Sequence, residues 1–292
     1  MKTVKAKTIM QTMKNGNNWF GPDYNMNLYR GCCHGCIYCD SRSNCYRVEN
    51  FDEVTVKEDA LRILDRELSY KKKGVVGLGA MSDHYNPFEK EMNVTRGALE
   101  LLARHGYGLS METKSAMITR DIDVFKKIME RHNLLLKMTI TCADDNLSRK
   151  IEPYVSVSSE RFAAIKELSD AGIFTGVLFT PWLPFITDTE ENVREVVRKS
   201  YEAGAKFVFA FSGVTLRENQ MEYYFEKLDE LFPGLSDKYR QVYRGKYMCN
   251  TLNKGLHKLF ESECRKYGLL YRMGDIIAAY KKPRGIVQES LF

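Results

Sequence analysis

Short apolar, β-rich runs alternate with longer stretches of helical period along most of this chain. The runs that read as strands begin near Asn25, Val75, Gly108, Leu134, Ile173 and Phe207, each short and bounded by polar or glycine positions. Between them VKEDALRILDREL, NVTRGALELLARHG, RDIDVFKKIMERH, SSERFAAIKELSDAG and DTEENVREVVRKSYEAG place apolar residues at helical intervals, the mark of one buried helix face. Several of these stretches close on Gly, as a helix end does, and Asp188-Thr189 before Glu191 reads as a capped start. Strand starts ~30 to 50 residues apart leave room for one crossover helix each. The pattern predicts an α/β fold built as a partial (βα)6 TIM-like barrel, with fewer units than a closed barrel has and its chemistry at the C-terminal ends of the strands.

On either side of this core, expected over residues 22–215, the pattern changes. Residues 1–21 are polar, with Lys2, Lys5, Lys7 and Lys14 followed by Asn-Gly-Asn-Asn, and are expected to form a loosely held arm fastened at its end by Trp19 and Phe20. Residues 216–292 are expected to form a mainly helical C-terminal extension, with helical stretches around Met221–Leu231 and Lys254–Tyr267, a turn at Pro233-Gly234, and a short apolar run at Gly268–Tyr271.

Cysteine usage points to the chemistry. Of eight cysteines, Cys32, Cys33, Cys36 and Cys39 fall within YRGCCHGCIYCD, where close neighbours make poor disulfide partners and good metal ligands. Gly31 and Gly35 let the loop turn its thiols toward a common centre. Two readings stand: a structural zinc site using Cys32 or Cys33, Cys36, Cys39 and Cys45, or an iron–sulfur cluster on three thiolates with one iron left open. No second well-spaced Cys/His pair follows, and the loop sits after the first strand, where a barrel places chemistry.

Cys32, Cys36 and Cys39 in the spacing C-x3-C-x2-C, with Tyr38 before the last cysteine, resemble the signature of the radical S-adenosylmethionine (SAM) enzymes. The wider string GCCHGCIYCDSR resembles the spore photoproduct lyase-like branch, and the resemblance runs over roughly Gly21 to Gly213. It implies a partial barrel of the radical SAM type, a [4Fe-4S] cluster on Cys32, Cys36 and Cys39, and SAM as second cofactor. It also implies reductive SAM cleavage to a 5′-deoxyadenosyl radical that abstracts a substrate hydrogen, and an electron donor such as flavodoxin or ferredoxin. Tyr38 would then pack on adenine, Ser82 and Asp83 would hold the SAM amino group, and Lys114 its carboxylate. Thr139 or Thr141 would meet the ribose, and Glu152 and Arg161 match a Glu-Pro…Arg set that is architectural or SAM-binding. In spore photoproduct lyase a hydrogen-donating cysteine precedes the Ser-Asp pair, whereas this chain reads Gly79-Ala80-Met81-Ser82-Asp83. Cys142, at the end of the fourth strand, is the one candidate substitute, with inert burial as its other reading.

Charge adds a partner. Net charge is +6, yet residues 232–292 hold twelve Lys or Arg against five Asp or Glu, so the rest of the chain is nearly neutral. With Tyr239, Arg240, Tyr243, Arg244, Lys246 and Tyr247 in it, this segment suggests nucleic-acid binding by phosphate contacts and stacking or a solvated helical cap. No apolar run approaches the ~20 residues of a membrane span, so no membrane partner and a cytoplasmic location are expected. The readings left open are a radical SAM enzyme acting on nucleic acid, one acting on a peptide or small molecule, and a zinc-bearing interaction module.

Overall fold

Six strands lie in parallel in the order in which the chain supplies them: Tyr24–Met26, Val75–Leu78, Gly108–Thr113, Leu134–Thr139, Thr175–Trp182 and Phe207–Ser212. The computed structural model describes residues 1–13 and 19–281. Helices Ala60–Tyr70, Val94–His105, Ile122–Arg131, Ser158–Asp170 and Glu190–Glu202 make the successive crossovers. The result is a partial (βα)6 TIM-like barrel.

Alternation along the strands divides the core. Leu134, Leu136 and Met138 join Leu109, Met111 and Val177 in the layer beneath the helices, where Leu102, Phe125, Ile165 and Val196 are fully buried. Leu135 and Leu178 belong to a second apolar group, in which Phe20, Phe207, Ile276 and Tyr280 pack together. Burial of each large aliphatic side chain contributes about 1.5–3 kcal/mol, so the helical face seen in the sequence is also what holds the layers together. The fifth strand starts at Thr175 rather than Ile173, because Gly172 and Ile173 are still closing the preceding helix, with Ile173 N donating to Leu168 O at 3.1 Å.

The N-terminal residues are held more firmly than their polarity suggests. Thr3–Val4 pairs with Thr55–Lys57, and Met10–Thr12 adds an antiparallel strand beside Tyr24–Met26. Ile9 and Met10 are buried, and their amides donate to Glu67 Oε2 at 3.1 and 2.8 Å. Lys14 and Asn-Gly-Asn-Asn, like the last residues of the basic C-terminal segment, lie outside the described residues. Thr55–Lys57 also pairs with Tyr29–Arg30, so the ladder pins both ends of the cysteine-bearing loop.

Beyond the sixth strand, helices Gln220–Leu231 and Leu256–Lys266 occupy the expected stretches, joined by two further ones, Leu235–Val242 and Met273–Tyr280. The apolar run at Gly268–Tyr271 extends the sheet: Val208 N donates to Leu270 O, and Leu270 N to Lys206 O. Tyr239 and Tyr243 are buried against the barrel, whereas Lys238, Arg240, Arg244, Lys246 and Tyr247 are exposed. Among the described residues no helix is long and apolar enough to cross a membrane.

Glu67→Ala should leave two buried amides without an acceptor and destabilise the protein by about 1–3 kcal/mol. Glu67→Gln, which keeps an acceptor, should recover much of this in urea unfolding. Hydrogen exchange at Ile9 and Met10 should speed up only in the Ala variant; unchanged exchange there would remove Glu67 from this role.

Candidate active site

The cysteine loop is shaped by two glycines in the left-handed region. Gly31 has φ +80°, and a Cβ there would stand 2.7 Å from the carbonyl oxygens of Phe51 and Glu53; Gly35 has φ +70°, and its Cβ would meet the Tyr154 ring at 2.7 Å. Three backbone bonds hook the loop in place: Cys32 N to Phe51 O, Ile37 N to Ile151 O, and Tyr154 N to His34 O. Its thiols face a cavity of about 480 Å³ whose walls include Cys32, Cys36, Cys39, Tyr38, Asp83, Lys114 and Thr139. Thr113, Lys114, Thr139, Thr180 and Phe211 bring the ends of four successive strands to it.

Two opposite charges stand on this wall. Asp83 accepts from Thr113 Oγ1 at 2.7 Å, Lys114 N at 2.8 Å and Tyr85 N at 2.9 Å, with His34 Nδ1 3.5 Å away. Burial opposes its ionisation, but His34 and these donors outweigh it and hold its pKa below the ordinary carboxylate value. Lys114 is also opposed by burial, yet the negative charge that Cys36, Glu152 and Cys39 carry when ionised raises its pKa. Its Nζ lies 5.7 Å from the centroid of the Tyr38 ring. Burial pushes the thiols up, Cys36 to about 12, with Lys114 pulling the other way, so metal binding here must displace protons.

Behind Tyr38 lies a buried polar network. The Tyr38 hydroxyl donates to Glu152 Oε1 and stands 3.0 Å from Thr141 Oγ1, which also donates to Glu152 Oε1 at 3.0 Å. Glu152 and Arg161, both without exposed side-chain surface, form an ion pair at 2.6 Å. Arg161 also donates to Thr139 O at 3.0 Å and Ser156 O at 2.7 Å. Burial works against the Glu152 charge, but Arg161, followed by Lys114, holds its pKa below the usual value.

The structure thus brings Tyr38, Asp83, Lys114 and Thr139 to the cavity with the three cysteines. Thr141, Glu152 and Arg161 stand behind its wall. Ser82 lies instead beside a separate cavity of about 150 Å³ that it shares with Tyr29 and Met81. Cys142, expected as a hydrogen donor, does not line the main cavity: it is buried, and its thiol donates to Asp144 O at 3.4 Å. Much of the polar density after Ser82 serves the turn, with Tyr85 bonded to Asp121, His84 Nε2 accepting from Leu28 N, and Glu89 accepting from Thr95 N.

Sequence reasoning passed over His34, Thr113, Glu112 and Phe211, which also line the cavity. The signal for Glu112 was available: it and Lys137 are the lone charges in the strands Gly108–Thr113 and Leu134–Thr139, and the two are registered neighbours. His34 carried no periodic signal, being a loop residue placed by the glycine turns.

The donor set fits an iron–sulfur cluster. Among the described residues no three His, Cys, Asp or Glu donors are placed to hold a single metal ion. A cubane asks something different, because each thiolate binds a different iron around one shared volume. Cys33 packs against the main core, and Cys45 is exposed with its thiol 2.8 Å from Ser43 Oγ, so neither completes a fourth ligand at the cavity.

The family model of the radical SAM superfamily matches residues 26–198. An uncharacterized protein of Mycobacterium tuberculosis is 28% identical over 256 residues, 84% of this chain and 75% of that protein. One of Methanocaldococcus jannaschii is 32% identical over 178 residues, 60% of this chain and 66% of that protein. Among solved structures, a spore photoproduct lyase mutant with bound AdoMet and dinucleoside spore photoproduct superposes with a TM-score of 0.65 at 14% identity, covering 91% of this chain and 78% of that one. At that identity the likeness is one of fold.

Arg161→Met should strand a buried carboxylate and cost about 3–5 kcal/mol at neutral pH. The Glu152 pKa is lowered from 4.5 in the fold, so the pairing stabilises above that pH and is lost as pH falls through the folded value. Denaturant titrations across pH should show the gap between wild type and Arg161→Met widest above pH 4.5 and closing on acidification. A gap that did not depend on pH would assign the loss to packing instead.

Proposed function

Because this chain belongs to the radical SAM superfamily, we propose that Cys32, Cys36 and Cys39 hold its [4Fe-4S] cluster and that SAM and a substrate meet in the cavity these thiols line. One observation carries the assignment of sites: three thiols in the spacing C-x3-C-x2-C share one cavity wall with the Asp83 carboxyl and the Lys114 amine. Bound and reduced, the cofactors supply a one-electron cleavage of SAM whose radical removes a hydrogen atom from substrate.

The chain's own residues bind and orient. Asp83, fixed by Thr113 and the Lys114 and Tyr85 amides, sets a negative charge for the ammonium of SAM. Lys114 sets a positive one for its carboxylate. Tyr38 offers a ring face on the same wall for adenine, braced from behind by Glu152 and Thr141, and Thr139 is placed for a ribose hydroxyl. Ser82, turned to another cavity, contributes through the chain that carries Asp83. The electrons come from an external donor such as flavodoxin or ferredoxin.

For the substrate, Lys238, Arg240, Arg244, Lys246 and Tyr247, all exposed, favour a nucleic acid. The buried Tyr239 and Tyr243 are not available for stacking, so phosphate contacts carry this reading. No thiol stands at Gly79-Ala80-Met81, and Cys142 is off the cavity, so the reaction differs from thiol-assisted dimer cleavage. A peptide or small-molecule substrate is the second reading, favoured by a cavity that the basic segment does not line.

Anaerobic reconstitution with iron and sulfide should give a brown protein that forms 5′-deoxyadenosine from SAM on reduction, and Cys36→Ala should lose both signals. A colourless wild type, or one that leaves SAM intact, would defeat the assignment. A single-stranded oligonucleotide should bind with an affinity that falls steeply with salt; binding that is absent or insensitive to salt would move the substrate to the second reading.

A further inference from the structure

The barrel interior holds one ion pair that the cofactor sites do not use. Lys137, 3% exposed, places Nζ 3.3 Å from Glu112 Oε2 and donates to Ser110 Oγ at 3.1 Å. Its ammonium also lies 4.6 Å from the centroid of the Phe20 ring. Trp19 Nε1 donates to the same Glu112 oxygen at 3.0 Å. Two donors therefore converge on Oε2, while Oε1 accepts no hydrogen bond among the described residues, and Glu112 lines the main cavity. An apolar pair of similar volume would fill a barrel interior at no greater cost than a buried ion pair. A carboxylate fixed on one oxygen and open on the other needs a further reason to be there.

Two aromatic side chains on the same cavity supply the rest. Trp19 and Phe211 are 39% and 46% exposed, and both line the cavity with Glu112. Large rings left open at a cavity offer flat apolar faces to a planar guest. A carboxylate is an acceptor only, so it selects for a guest that brings a donor. A guest without one covers Oε1 and leaves it without a donor, which is the stronger half of the discrimination.

We propose that Glu112 is the substrate-positioning residue of this cavity, accepting on Oε1 a hydrogen bond from the N–H of a planar lactam, imide or amide group that lies against Trp19 and Phe211. Lys137 and Trp19 hold the carboxylate in place for it. The inference rests on reading this cavity as the place where substrate meets SAM.

The test uses binding rather than turnover, so its failure is distinguishable from a failure to cleave SAM. Isoindolinone, a planar lactam with an N–H, and N-methylisoindolinone, which lacks it, are titrated into the reconstituted full chain, with ligand-observed NMR as the readout. Wild type should bind the N–H probe at least about ten-fold more tightly than its N-methyl analogue, the size of one hydrogen bond to a charged acceptor. Glu112→Leu should remove most of that preference. Because it leaves Lys137 buried without its partner, the double variant Glu112→Met/Lys137→Met, which replaces the pair with apolar side chains, decides the matter if the single one does not fold. A preference reduced to about two-fold or less in the double variant supports the proposal, since the hydrogen bond and its selectivity are lost together. Equal binding of the two probes to wild type, no binding of either, or a preference that survives in the double variant overturns it.

Discussion

The buried ion pair between Glu152 and Arg161 is the constraint on which the cavity depends. Taking both charges out of water is costly, and here the cost is offset by bonds to the fourth-strand end, the cysteine loop and the turn before the Arg161 helix. Arg161, on the helix after the fourth strand, grips the carbonyls of Thr139 and Ser156. Glu152 receives the hydroxyls of Thr141 and Tyr38. Tyr38 stands between Cys36 and Cys39 in sequence, so the pair fixes the register of the cysteine loop against the end of the fourth strand. Side chains held in this way keep the wall of a site formed before a ligand arrives.

A second economy lies in the turn after the third strand. Thr113 and the backbone of Lys114 hold Asp83, while the Lys114 side chain turns toward Tyr38 and the thiols. One short stretch thus fixes the negative charge and supplies the positive one. The residues after the sixth strand close the same site from outside. Thr215 donates to Asp40 at 2.5 Å, Asn219 to Arg42 O at 2.7 Å, and Gln220 to Tyr38 O at 3.4 Å. The C-terminal elements therefore clasp the cysteine loop, and Val214 and Thr215 become part of the cavity wall.

The barrel was legible because its signal is periodic and repeated: five of the six strands begin within a residue of the positions read from the sequence. The cysteine spacing was legible because thiols on one loop are neighbours in sequence as well as in space. What could not be read depends on side-chain direction. Thr139 faces the cavity and Thr141 the buried network, and a strand end does not announce where its alternation breaks. Ser82 and Asp83 are adjacent, yet only Asp83 meets three donors brought from the third strand and its own turn. The N-terminal residues look free because their anchor, Glu67, is a buried charge on a helix whose pattern gives no sign of a long-range partner.

The position of Cys142 bears on the chemistry more than its identity does. It is a buried thiol just past a strand end, but it donates its hydrogen to Asp144 O, and it lines a separate cavity of about 350 Å³ with Asp144 and Asn192. Among the described residues the only thiols lining the cavity are Cys32, Cys36 and Cys39, all three assigned to metal in the reading proposed here. A substrate radical formed in this cavity would meet ring faces, glycine and methionine, and the Glu112 carboxylate, with no further thiol to quench it. Control of such a species then rests on position: which hydrogen is offered first, and how firmly the rest of the substrate is held away. That demand gives physical sense to a barrel that keeps a charged pair in its interior where an apolar pair would have packed as well.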